Sequence, residues 1–367
     1  MRTARLALLA FACLLMGCNS VSKLGTPAQP TVHCYNGTAS VGDFLTISID
    51  SSAQTITYKN YTNGETGTVP YAVNADGTYT ITDPDGNLLS AYEVPGFVLM
   101  VEAANAGPNK DTLALITAVE SAPASINTFA GGNFNYLQFR TAAGGMEMGT
   151  ISIDAHGNAQ HDGYWPFGVF SQNLFNGGSF AASSVTEDAS GDFFAINESD
   201  GSSDYAFGTP GGFFVVDTGA GTILSLPKAA SKSFDPTYAG NYTAIYYEKA
   251  DAQTGQGNME IGTPSEGEAT ITVGANGLMT ITDSANKTLG SGTLAAVADT
   301  SYLYDGTANT ISHPCYGMFT FRMTTGAVQQ DVFVSFEGHA VIFSSFQTTL
   351  PIQGYAPYAY YYGVGLK

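Results

Sequence analysis

Val73-Asn74-Ala75-Asp76-Gly77-Thr78-Tyr79-Thr80-Ile81-Thr82-Asp83 holds a turn dipeptide, Asp76-Gly77, followed by a short run in which alternate residues are apolar. Period two with Thr, Ile and aromatic residues is the pattern of a strand with one buried face. An Asp-Gly pair between two such runs marks a hairpin. The stretch recurs: Ile271-Thr272-Val273-Gly274-Ala275-Asn276-Gly277 continues into Met279-Thr280-Ile281-Thr282-Asp283, and Ile151-Ser152-Ile153-Asp154-Ala155-His156-Gly157 is a third copy. One recurring hairpin signature makes the chain an all-β protein built from repeated units.

Other echoes extend the repeat. Ala130-Gly131-Gly132-Asn133-Phe134 matches Tyr238-Ala239-Gly240-Asn241-Tyr242, and Gly145 to Thr150 matches Asn258 to Thr263. Pro95-Gly96-Phe97-Val98-Leu99-Met100-Val101 matches Pro210-Gly211-Gly212-Phe213-Phe214-Val215-Val216. The same alignment places Leu113–Val119 opposite Ile223–Leu226, so Asp111–Ala122, the window nearest to a helical stripe, reads as strand. Units start near Gly42, Gly132 and Gly240. A spacing of roughly a hundred residues is too long for solenoid turns and suits whole small β domains. The expected fold is three tandem antiparallel β-sandwich or β-barrel units, with a β-propeller as the alternative. In the first unit the matched hairpin lies much closer to the Pro-Gly-Phe run than in the second. That unit is therefore expected to lack a hairpin and to lean on a neighbour to cover its edge.

Composition narrows the function. The formal charge is −19, from 12 Lys and Arg against 31 Asp and Glu, which excludes phosphate-backbone recognition and electrostatic binding to anionic lipid. Charged residues make up only 12% while aromatics reach 12% and glycines number 43, the balance of an exported β protein rather than a cytosolic helical one.

At the amino end, Arg2 and Arg5 precede Leu6–Met16, an unbroken apolar run of 11 residues. That is short of the roughly 20 residues a spanning helix needs and fits a secretory signal core. The run closes on Leu15-Met16-Gly17-Cys18, which resembles the lipobox of bacterial lipoproteins. The resemblance covers the signal segment only. It implies cleavage before Cys18, a diacylglycerol on its sulfur and an acyl chain on its new amino group, a multi-chain anchor that holds stably where a single chain does not. Asn19, rather than Asp, follows the cysteine, which in that family points to the outer membrane. Boundaries are read as 1–17 signal peptide, 18–33 lipidated Cys18 and flexible tether, 34–125 a short first unit, 126–233 the second, and 234–367 the third with a Tyr-rich tail.

With Cys13 in the signal and Cys18 lipidated, Cys34 and Cys315 remain as an even pair in an oxidising compartment. A disulfide between them, tying the first unit to the last, is expected; two buried free thiols are the alternative, and His33 and His313 beside them leave open a Cys₂His₂ metal site.

Candidate chemistry is sparse. Glu147 and Glu260 occupy matching places in two Met-Glu copies, and two carboxylates can run glycoside hydrolysis, but they sit in equivalent strands of different units and outward strand positions are the simpler reading. His156 and His161 flank a hairpin and are weak metal candidates; exposed turn histidines are the simpler reading. Asp83-Pro84-Asp85-Gly86-Asn87 starts like a calcium loop, yet position twelve is Val94, so a turn closed by Asx bonds fits better. Glu187–Asp204 reads as a solvated acidic hairpin with calcium binding as the alternative, and Trp165 as core. Tyr355–Lys367, with five Tyr, reads as a final strand rather than a sugar platform. No nucleophile-elbow, zincin, P-loop or dinucleotide fingerprint occurs. No cofactor and no resident metal are expected, and the ligand site is unassigned. The resulting expectation is a non-enzymatic envelope module that binds a glycan, an envelope protein or a small ligand. A surface polysaccharide hydrolase and an adhesin are the alternatives.

Overall fold

In the computed structural model the described residues are 31–107, 110, 112–121, 132–139, 146–166, 174–181, 184–187, 193–197, 201–209, 212–253, 259–302, 308–311, 314–325, 328–347 and 359–367. The lipobox-like stretch and the expected tether, Cys18 included, lie outside them.

The first eight strands are β1 (Val32–Ala39), β2 (Phe44–Asp50), β3 (Thr55–Asn60), β4 (Thr66–Val73), β5 (Tyr79–Thr82), β6 (Leu88–Val94), β7 (Val98–Ala106) and β8 (Thr112–Glu120). They form an up-and-down antiparallel sheet that closes when β8 pairs with β1, from Tyr35↔Glu120 to Ala39↔Ile116. The expectation of a missing hairpin is therefore overturned: the first unit is a complete barrel with no open edge. Val73↔Tyr79, Ile153↔Ala159 and Val273↔Met279 each close the same five-residue loop. In each loop the first residue's N–H donates to a carbonyl four residues on, and a glycine with positive φ follows. Such a loop needs only an αL glycine at its fourth position. It recurs wherever a hairpin needs it, so the first copy joins β4 to β5 while the other two join the second and third strands of their units.

The second sheet contains β9 (Asn133–Phe139), β10 (Met146–Ile153), β11 (Ala159–Pro166), β12 (Leu174–Ala181), β13 (Ser184–Glu187), β14 (Phe194–Asn197), β15 (Ser203–Gly208), β16 (Phe214–Asp217) and β17 (Thr222–Pro227). Here β17 returns to pair with β9, as β8 does with β1. The third contains β18 (Gly240–Gln253), β19 (Met259–Val273), β20 (Leu278–Asp283), β21 (Thr288–Thr293), β22 (Ala295–Ala296), β25 (Met318–Thr325), β26 (Val328–Glu337), β27 (Ala340–Gln347) and β28 (Ala359–Leu366). One residue separates β21 from β22, and β22 pairs with β25, so this sheet also comes back on itself. Between them β23 (Thr300–Tyr302) and β24 (Ala308–Thr310) leave the third sheet and extend the second beyond β12. Sheets of this size, one of them closed, replace the four-stranded blades of the propeller alternative.

Glycines sit opposite aromatic residues across strand pairs. Tyr58 pairs with Gly67, and Tyr246 with Gly267. A Cβ on either glycine would lie 2.7 Å from the Tyr58 hydroxyl or 2.9 Å from that of Tyr246. The ring lies flat across the bare backbone, a close approach that explains part of the chain's glycine content.

The three sheets share one apolar core. Val98, Met100, Leu115 and Val119 on the outer face of β7 and β8 pack with Leu137, Phe139, Val215 and Leu224 of the second sheet and Ile245, Tyr247, Phe333 and Tyr362 of the third. Buried on both faces, the first half of β7, Val98–Val101, loses period-two alternation and reads as a continuous apolar run. Phe139 stacks on Tyr362 with centroids 4.6 Å apart. Thr222 Oγ1 donates to Ala39 O at 2.8 Å, and Asn135 Nδ2 to Tyr316 O at 2.8 Å, joining neighbouring sheets.

This packing, rather than a Cys34–Cys315 bond, joins the first sheet to the third. The expected Cys34–Cys315 disulfide is not formed: Cys315 is a free thiol. It is buried in the shared core, where burial pushes it up to about 12. Cys34, on β1 opposite Ser48 of β2, is itself disulfide-bonded, but not to Cys315. Gly42, in the turn after β1, has φ +90° and would place a Cβ 2.5 Å from the Gly219 carbonyl carbon of the β16–β17 turn. Gly42→Ala is expected to cost more than about 1 kcal/mol, through αL strain and a wedge between first barrel and second sheet. Chemical denaturation with a midpoint equal to wild type would refute this contact.

Candidate functional site

An eight-stranded barrel is just wide enough to be filled by side chains or to hold one small ligand. The first barrel does both, at opposite ends. Alternate residues of β2 and β3 point inward as Leu45, Ile47 and Ile56, joined by Val69, Ile81, Val101 and Ile116 from the remaining wall. Toward the β1–β2 turn the inward residues become Ala39, Ala103 and Ala106, and their methyl groups leave a cavity of about 120 Å³. The third sheet places Tyr246, Phe343 and Tyr361 in the corresponding kind of space and retains about 10 Å³. The larger volume approaches the roughly 150 Å³ apolar cavity that accepts benzene in an engineered protein.

Polar groups collect at this end. Asp43 is 1% exposed. Its Oδ2 accepts from Asn60 Nδ2 at 2.7 Å and from Gly107 N at 2.8 Å, whereas its Oδ1 is buried with no hydrogen-bond partner. Tyr58 donates to Glu65 at 3.0 Å, and Lys110 lies 3.5 Å from the same carboxylate. Burial first, then Glu65, pushes Tyr58 up to about 12. Asp83 accepts from the amides of Asp85 and Asn87 at 3.0 and 2.7 Å, and Asn105 reaches across from β7 to Asp85 at 2.8 Å. The Asx-closed turn expected of Asp83–Asn87 is thus present, at the cavity rim. Glu102, on β7, accepts from Ser90 N at 2.6 Å, and burial raises its carboxyl above the ordinary range.

The opposite end of the lumen is plugged by a polar cluster. Glu93 accepts from Tyr35 at 2.5 Å and from Tyr79 at 2.7 Å, and His33 Nδ1 lies 3.3 Å away. Burial, then the Glu93 carboxylate, raises the Tyr35 hydroxyl well above its ordinary value.

The residues singled out by sequence fall elsewhere. Glu147 is not outward: it is buried on β10 and accepts from Tyr136, inside the second sheet. Its counterpart Glu260 is on β19 of the third sheet, and its side chain is outside the described set. His156 is exposed in the β10–β11 turn with its N–H on Asp154, and His161 lies on β11 opposite Ile151; its side chain is outside the described set. Among the described residues no three His, Cys, Asp or Glu gather as metal ligands. The acidic stretch 187–204 contributes β14 and the ends of its neighbours, and Tyr361 and Tyr362 of the tail are buried in β28. Asp43, Asn60 and Glu93 escaped sequence reading. Their only signal is a polar residue at or beside an apolar alternation, and the same signal marks many exposed positions.

No protein-family model matches this sequence, and no curated protein matches it. Among solved structures, similarity is found to two mutant forms of the vaccine antigen Transferrin Binding Protein B (TbpB) from Haemophilus parasuis Hp5. The double mutant is 10% identical, with 92% of this chain and 76% of that chain covered and a TM-score of 0.22. The single mutant is 12% identical, with 92% and 66% covered and a TM-score of 0.25. Intact Ap-TbpB, with its N and C lobes, is 11% identical over 88% and 66%, with a TM-score of 0.22. At these TM-scores the likeness carries no argument about ligand, partner or location.

Proposed function

We propose that the chain is a lipid-anchored envelope protein whose β units form a non-catalytic binding module, with the lumen of the first barrel as its ligand site. The observation that carries the binding reading is the apolar cavity walled by Leu45, Ile47, Val101 and Ile116 and narrowed by alanines rather than filled by rings. Burying a small apolar group there gains about 25 cal/mol per Å² removed from water. Lipid anchoring rests on Leu15-Met16-Gly17-Cys18. Among the described residues no helix is long and apolar enough to cross a membrane.

Two measurements test this. n-Hexanol is expected to raise the thermal midpoint of the wild-type chain and to leave that of Ala103→Leu, which fills the cavity, unmoved; equal shifts in both would end the lumen assignment. Cys18→Ser is expected to move the protein from the membrane to the soluble fraction with its β-sheet circular dichroism intact. Retention in the membrane would refute the anchor.

A further inference from the structure

The lumen also has a charge preference, and this inference rests on the reading that the lumen is a binding site. Asp43, Glu65, Asp83 and Glu102 line the cavity, and no Lys, Arg or His is found among the described residues that line it. Three of these carboxylates are already engaged: Asp83 by its own turn, Glu65 by Tyr58 and Lys110, and Glu102 by the Ser90 amide. Asp43 differs. It is almost wholly enclosed, its Oδ2 holds two donors, and its Oδ1 has none. A buried carboxylate oxygen without a donor is costly, and the deficit is relieved by any ligand that supplies an N–H. Oδ1 is sealed from solvent, so engaging it requires a rotation of the carboxylate toward the lumen.

We infer that the first barrel takes a short primary ammonium amphiphile. Its tail of about six carbons or a single aromatic ring, the size such a volume accepts, packs among Leu45, Ile47, Val101 and Ile116, and its ammonium group pairs with Asp43. A neutral alcohol of the same length gains the apolar burial but only a weaker hydrogen bond, since charge-assisted bonds are roughly twice as strong. A carboxylate of the same length brings its charge among four others at low local dielectric and is excluded.

The test is calorimetric titration of the intact chain at pH 7 with n-hexylamine, n-hexanol and hexanoate. The amine is expected to bind at least tenfold more tightly than the alcohol, and hexanoate not to bind. In Asp43→Asn, where the amide oxygen can still accept from Asn60 and Gly107, the amine-to-alcohol affinity ratio is expected to fall to about one. If that variant fails to fold, the amine-against-hexanoate contrast on the wild type decides alone. Alcohol binding with hexanoate equal to or better than the amine would overturn the charge preference and leave the lumen reading standing. No binding by any of the three would remove the lumen reading, and this inference with it.

Discussion

Glu93→Leu is expected to destabilise the protein by about 3–5 kcal/mol, because two phenolic donors lose their acceptor at roughly 1–3 kcal/mol each. Glu93 lies inside the closed first barrel and is the shared acceptor of Tyr35 and Tyr79, with His33 beside it. Leucine fills similar space but leaves two phenolic donors and an imidazole facing apolar wall. Tyr35 is wholly buried and has no route to water. Glu93→Gln keeps one acceptor oxygen and is expected to lose less, about 1 kcal/mol for each bond weakened. The denaturation midpoints of the two variants rank the effect. A leucine variant as stable as the glutamine variant would show that the cluster contributes packing and not hydrogen bonding.

Thermal stability is expected to be greatest near pH 5 and to fall steadily as the pH rises toward 9. Two acids produce the alkaline decline. Asp217, at the end of β16, is pushed up to about 7 by burial, with Asp204 and Asp43 adding to the rise and the Gly219 amide opposing it. Glu266, on β19, is pushed up to about 10 by burial and by Glu102, against the Ala103 amide. In each case the folded protein keeps a proton that the unfolded chain has released. Raising the pH through the interval between the ordinary and the folded value therefore favours unfolding. For Asp217 that interval runs from about 4 to about 7 and is worth at most about 4 kcal/mol. The acidic side has the opposite sign. Asp50, Asp76, Asp154 and Asp235, held low by hydrogen bonds within their own turns, add stability that is lost as the pH drops below their ordinary range. Asp217→Asn together with Glu266→Gln is expected to flatten the alkaline limb while leaving the acid limb in place. An unchanged slope between pH 5 and 9 in that double variant would show that neither carboxyl holds its proton in the fold.

How far the sequence could be read depended on whether the relevant chemistry was local. Val73–Asp83 announces a hairpin because its loop requires an αL glycine at Gly77, and the same need exposes the copies at Gly157 and Gly277. Yet the loop carries no information about which hairpin of a barrel it closes, so aligning by it made a complete first unit look truncated. Val98–Val101 and Phe214–Val216 are legible as strands because a stretch buried on both faces is apolar at every position. Glu147 was misplaced because a glutamate in a period-two strand looks outward until Tyr136 is seen beside it. Cys34 and Cys315 failed for a related reason: an even count says nothing about distance, and Cys315 lies in the core shared by all three sheets.

By itself the sequence determined an all-β chain with repeated hairpin units, little basic charge and a run at its amino end that resembles a lipobox, because strand alternation, turn glycines and signal-like segments act through near neighbours along the chain. Only the tertiary structure decided that β8 closes on β1, that the outer face of β7–β8 joins three sheets in one core, and that alanines at one end of the first barrel leave a cavity beside Asp43. Those features depend on which side chains meet across strands tens to hundreds of residues apart, and on whether the volumes that meet there fill the space between them.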